Sequence, residues 1–135
     1  MRVFIDTNIL ISSVLVRGSI PAVALLKASS FLNTGIVSEQ NIDEMISVFH
    51  RKFPSRIPDM ENFLLWAMFS LEIVPSPNEL REEEKLIRDV KDRPILRAAI
   101  MAGADILLTG DKDFLESGIT NPRIVSASDF LKLEQ

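Results

Sequence analysis

Apolar and polar residues follow one another in two rhythms along this chain. Short uninterrupted apolar runs stand between longer stretches where apolar positions recur every three or four residues. The first rhythm predicts buried parallel strands, the second amphipathic helices. Residues 2–5 read as the first strand, which runs into Asp6. Ser12 to Ile20 reads as a loop, with Gly18 and Ser19 ahead of Pro21. Pro21 suits the first turn of a helix whose apolar side is Ala22, Val23, Leu25, Leu26 and Ala28. Gly35-Ile36-Val37 is a short second strand, and Ser38 caps a helix carrying Ile42, Met45, Ile46 and Phe49.

Pro54 and Pro58 interrupt the pattern, and Asp59 then caps a strongly apolar helix through Phe63, Leu64, Ala67, Met68 and Leu71. Ile73-Val74 is a third strand, closed by Pro75 and Pro77, and a charged helix is predicted from Asn78 to about Arg88. Proline disfavours helical geometry at Arg93, so the next helix is expected to open at Pro94 with Asp92 just outside it. That helix carries Ile95, Leu96, Ala98, Ala99 and Ala102 and ends at Gly103. A fourth strand at 105–108, a short helix at 112–117, a fifth strand at Ile124-Val125 and a last turn capped by Ser126 or Ser128 complete the chain. Strands alternating with helices predict a parallel α/β sheet. No repeat, low-complexity run or linker divides it, so residues 1–135 are expected to fold as a single domain.

Composition narrows the setting. No apolar stretch reaches membrane-spanning length, Asp6 interrupts any apolar leader, and there are no cysteines to cross-link, so a cytoplasmic protein that does not enter a membrane is expected. The net charge of −4 and the pI near 5.0 argue mildly against a protein that clamps nucleic acid through an overall positive field. Carboxylates clustered around a cation weaken that argument, because the loaded site presents a neutral or positive face.

Two runs carry the chemistry. Val3-Phe4-Ile5-Asp6-Thr7-Asn8 and Ile106-Leu107-Leu108-Thr109-Gly110-Asp111-Lys112-Asp113 are both apolar strands that deliver an acid at the carboxyl end. Ligands bind at that edge of an open α/β sheet. Glu44, in the second turn of the helix after strand two, and Asp92, before the helix into strand four, fall on the same edge by the handedness of the crossovers. Like charges about 4 Å apart repel by about 4 kcal/mol at an effective dielectric of about 20, so converging carboxylates need a cation or a shared proton. All-oxygen ligation points to Mg²⁺ or Mn²⁺; zinc is disfavoured, with His50 as the lone histidine. Thr7, Asn8 and Thr109 are expected to orient the acids, and Asp113 to serve as an outer ligand. Taken singly, each acid is explained as well by helix capping or turn formation; the functional reading rests on the set.

On these residues the chain resembles the PIN-domain ribonucleases, in particular the toxin components of prokaryotic toxin–antitoxin systems. The matching pieces are Phe4-Ile5-Asp6-Thr7-Asn8, Ser38 followed by Glu44, Asp92 with Leu96 and Ala99, and Ala104 through Leu115. The resemblance implies a five-stranded parallel sheet ordered 3-2-1-4-5, which makes strands one and four neighbours. It implies that Asp6, Glu44, Asp92 and Asp111 form an acidic site for Mg²⁺ or Mn²⁺, supported by Thr7, Asn8 and Thr109, with Asp113 an occasional further ligand. It also implies divalent-metal-dependent hydrolysis of RNA, a homodimer, and a cognate antitoxin.

Lys91, Arg93 and Lys112 flank the proposed ligands and are expected to contact RNA phosphates. His50, alone on a helix, is read as structural. The helix with Phe63, Leu64, Leu65, Trp66, Met68 and Phe69 is apolar on both sides, which reads as a face for a second copy or an antitoxin. An aspartyl-phosphate phosphatase is disfavoured because Asn8 stands where it needs a second aspartate, and no Gly-rich phosphate loop is present. The remaining alternative is a non-catalytic module that binds RNA or protein and keeps the acids as turn formers.

Overall fold

The computed structural model describes residues 1–134. Five strands, β1 (Arg2–Ile5), β2 (Thr34–Ser38), β3 (Glu72–Val74), β4 (Ile106–Leu108) and β5 (Arg123–Val125), form one parallel sheet in the order β3-β2-β1-β4-β5. The helices are α1 (Thr7–Leu15), α2 (Ile20–Ser29), α3 (Glu39–Lys52), α4 (Ile57–Ser70), α5 (Arg93–Met101), α6 (Lys112–Leu115) and α7 (Ala127–Lys132). The expected α/β class and the expected strand order both hold. Phe4 pairs with Ile36 on one side and Leu107 on the other, so β1 is central and β4 is its direct neighbour.

Successive strand residues point to opposite faces, and the two faces fill separately. Val3, Ile5, Val37, Ile106 and Leu108 pack with residues of α1, α2, α3, α4 and α7. Phe4, Ile36 and Leu107 pack with Ile95, Leu96, Ala98 and Ala99 of α5 and Phe114 of α6. Central strands covered on both faces are apolar throughout, which is why β1 and β4 read as unbroken apolar runs.

Three expectations change. The stretch from Ser12 to Ile20 is not wholly loop: α1 begins directly after Asp6 and runs to Leu15. Ile9, Leu10 and Val14 give it a buried side, and the Ser13 hydroxyl donates to the Ile9 carbonyl one turn back at 2.6 Å. The charged helix from Asn78 to Arg88 is absent; a single 3-10 turn at Glu82–Leu86 stands there. Glu84 faces inward to accept from Arg97 Nε and Nη2, at 2.7 and 3.0 Å, and Ile87 is buried beside it. These anchors tie the connection to α5 at points without helical spacing. Finally, α5 opens at Arg93, not Pro94, and Arg93 is helical (φ −58°, ψ −40°). In the first turn Pro94 forfeits only an N–H that has no partner there, and Arg93 Nε donates to the Ile87 carbonyl at 3.0 Å. Smaller shifts are that α4 starts at Ile57 with Asp59 in its first turn, and that α6 ends at Leu115. No single helix among the described residues is long and apolar enough to cross a membrane.

Candidate metal centre

β1 stops at Ile5 and α1 starts at Thr7, which makes Asp6 the cap of α1. Its Oδ1 accepts the Thr7 N–H at 2.8 Å. Its Oδ2 accepts the Thr109 hydroxyl at 2.8 Å, and the same hydroxyl oxygen accepts the Asp111 N–H at 3.0 Å. One fully buried threonine thus joins the acid of β1 to the acid after β4. Asp111 caps α6, its Oδ1 accepting the Asp113 N–H at 2.8 Å.

Glu44 is reached through α3. The Thr7 hydroxyl donates to Glu44 Oε2 at 3.0 Å and accepts from Asn41 Nδ2 at 2.8 Å. Asn41 is fixed in turn by Ser38, whose N–H and hydroxyl both donate to Asn41 Oδ1, at 2.9 and 2.8 Å. Sequence reasoning named Ser38 as a cap but missed Asn41, although Ser38-x-x-Asn41 has the spacing of a capping box.

Asp92 sits at the α5 N-terminus without capping it and is hydrogen-bonded to Asp111. Asp6, Glu44, Asp92 and Asp111 are therefore linked, directly or through a threonine. The tightest carboxylate grouping among the described residues is a different one. Oxygens of Asp89, Asp92 and Asp113 lie within 4.8 Å of one another. Asp89 was not anticipated; its side chain accepts the Lys91 N–H at 3.0 Å, a turn contact that hides its second carboxylate oxygen from sequence reasoning.

The electrostatics follow from this crowding. Burial pushes Asp6 up from 3.8 to about 6 against the pull of Thr109 and the Thr7 N–H, and the charges of Glu44 and Asp111 push the same way. Asp92 is raised to about 7, chiefly by burial, then by its hydrogen bond and charge contact with Asp111. A cleft of about 730 Å³ opens beside these groups, lined by Glu39, Gln40, Asp43, Glu44, Ser76, Asp89, Lys91 and Asp92.

The remaining predicted residues divide. Asn8 is exposed and makes no side-chain hydrogen bond, so Thr7 alone of that pair orients an acid. Lys91 lines the cleft and Lys112 is exposed at the start of α6. Arg93 donates its Nε to the Ile87 carbonyl at 3.0 Å. Asp113 receives Arg88, which donates from Nη2 to Oδ1. His50 is exposed, with its ring nitrogen on the Ile46 carbonyl of its own helix.

Among solved structures, the chain is similar to one of VapBC2 from Rickettsia felis bound to a DNA fragment from their promoter. The TM-score is 0.70 and the identity 18%, covering 93% of this chain and 98% of that one; a likeness at that identity carries the fold alone. No curated protein matches the chain. The PIN domain model matches residues 2–113. PIN domains are generally nucleases and typically use divalent metals. A match that runs from β1 into α6, and so takes in every acid described above, shows that this chain belongs to the PIN domain family.

Proposed function

We propose that this protein is a divalent-metal-dependent endoribonuclease and the toxin of a toxin–antitoxin pair. The observation that carries the reading is the linkage of Asp6, Glu44, Asp92 and Asp111 at one sheet edge through Thr7 and Thr109. The donor set is all carboxylate, which fits Mg²⁺ or Mn²⁺. The raised Asp6 and Asp92 fit the same ion, because two acids that hold protons near neutral pH are acids short of positive charge. Asp6, Glu44, Asp92 and Asp111 would hold the ion. Once bound, such an ion lowers the pKa of water and neutralises charge on a phosphodiester.

The chain's own groups have separable tasks in this reading. Thr109 and the Thr7 N–H aim Asp6, and the Thr7 hydroxyl, itself held by Asn41, aims Glu44. Lys91 and Lys112, both exposed beside the acids, contact RNA phosphates. The toxin assignment draws on the resemblance to PIN-family toxins and on the VapBC2-like fold. A partner surface, for an antitoxin or a second copy, draws on α4, where Leu65, Met68 and Phe69 are exposed while Phe63 and Trp66 pack on the core.

The test is cleavage of single-stranded RNA with Mg²⁺ or Mn²⁺ against a chelator control. The parent protein is expected to cut only with the ion, and Asp6→Asn to lose about a hundredfold or more of the rate. Equal cleavage by Asp6→Asn, or cleavage in chelator, overturns the assignment.

A further inference from the structure

The acid cluster has two unlike flanks. On the α3 side Glu39, Asp43 and Glu44 line the cleft with no cation among them. A phosphate-bearing strand meets only negative charge there. Lys91 is the cation in the lining of the cleft itself; outside that lining, on the α6 side of the acids, Arg88 and Lys112 are both exposed. The Arg88 guanidinium donates to Asp113, yet 82% of the Arg88 side chain is open to solvent against 19% of Asp113.

Folding does not account for this contact. An ion pair exposed to that degree contributes about 0–1 kcal/mol. Arg88 is nevertheless fixed from behind. Ile87 is fully buried in the second core, its carbonyl accepts Arg93 Nε, and Glu84 is clamped by Arg97 of α5. The backbone therefore delivers Arg88 outward at a set point, and Asp113 holds its tip. A guanidinium carries five N–H donors in a planar fork. One is spent on Asp113, which leaves donors for a phosphate oxygen at the lip of the acid cluster.

We infer that Arg88 is a phosphate-binding residue seated by Asp113, and that an RNA strand reaches the acids across the α6 flank. Asp113 is then a positioning residue for Arg88, not a cation ligand, even though its carboxylate lies within 4.8 Å of those of Asp89 and Asp92. The inference rests on the ribonuclease reading.

The experiment compares the parent, Arg88→Gln, Arg88→Lys and Asp113→Asn. It reads KM and kcat on a short single-stranded RNA with Mn²⁺ across a KCl series, and Mn²⁺ affinity by calorimetry. Arg88→Gln is expected to raise KM about five- to tenfold, hold kcat within about twofold, and flatten the log–log salt dependence of kcat/KM by about 0.7. Arg88→Lys keeps the salt dependence. Asp113→Asn raises KM and holds Mn²⁺ affinity within about twofold. Arg88→Gln with the parent's KM and salt dependence overturns the inference and leaves the ribonuclease reading standing. A loss of Mn²⁺ affinity of about tenfold or more in Asp113→Asn makes Asp113 a ligand and also overturns it. A parent that neither binds Mn²⁺ nor cuts RNA overturns both.

Discussion

Asp6 is nearly closed to water and has two donors, the Thr7 N–H and the Thr109 hydroxyl. Burial outweighs them, and the carboxyl rises from 3.8 to about 6. Below about pH 4 the acid is protonated in both the folded and the unfolded chain, and the site costs nothing. As the pH climbs from about 4 towards 6, the unfolded chain gives up its proton while the folded chain still holds its own, and stability falls until the folded acid ionises near 6. The full cost is about 3 kcal/mol, at about 1.4 kcal/mol per pH unit between 3.8 and about 6. Asp92, raised from 3.8 to about 7, pulls in the same direction over a range that extends to about 7. Urea unfolding in chelator should therefore show Asp6→Asn gaining stability relative to the parent between about pH 4 and pH 7. Mn²⁺ should close that gap by stabilising the parent. A difference that stays flat with pH would mean that Asp6 is not strained by its surroundings.

At the scale of the element, the readable parts were those where one physical signal decides. β1 and β4 are apolar on both faces, so Val3-Phe4-Ile5 and Ile106-Leu107-Leu108 announce themselves as central strands, and the acid after each follows. The segment from Asn78 to Arg88 was misread because its charges suggested a solvated helix. Its shape is set by a partner remote in sequence, Arg97, that draws Glu84 inward. α1 was missed because no helix was read directly after Asp6, although capping was weighed for that acid; the carboxylate caps α1 as well as facing the other acids. Asp89 was missed because a single acid in a turn carries no signal of the oxygens it meets in space. Gly35 marks the opposite case, a residue whose smallness matters for packing: a Cβ there would lie 2.7 Å from Leu71 Cδ2 and 3.4 Å from the Ala28 carbonyl and Ile5 Cδ1. Gly35→Ala should destabilise the protein by about 1–3 kcal/mol, read as a lowered unfolding midpoint, with Mn²⁺ affinity unchanged. An unaffected midpoint would show that Leu71 yields freely.

For the whole molecule, the sheet order is what turns separate acids into a site. Asp6 and Asp111 are 105 residues apart in sequence, and they meet because β1 and β4 are neighbours and both end at the same edge. Glu44 and Asp92 join from opposite faces of the sheet, one on α3 and one before α5. Their place at one edge was legible, Asp6 and Asp111 from the strand-end pattern and Glu44 and Asp92 from the handedness of the crossovers. Their connection through Thr7, Asn41 and Thr109 was legible only in part, since hydrogen bonds between distant residues leave no spacing to read. The overall charge of −4 is consistent with this arrangement, because the acids that make the protein negative are gathered where a cation would offset them. The most direct test of that central claim is a calorimetric titration of the chelator-treated protein with Mn²⁺ at neutral pH, run beside Asp111→Asn. The account predicts saturable binding to the parent, with protons released as Asp6 and Asp92 ionise, and a loss of affinity of about tenfold or more in the variant. No saturable binding, or equal binding by Asp111→Asn, would contradict it.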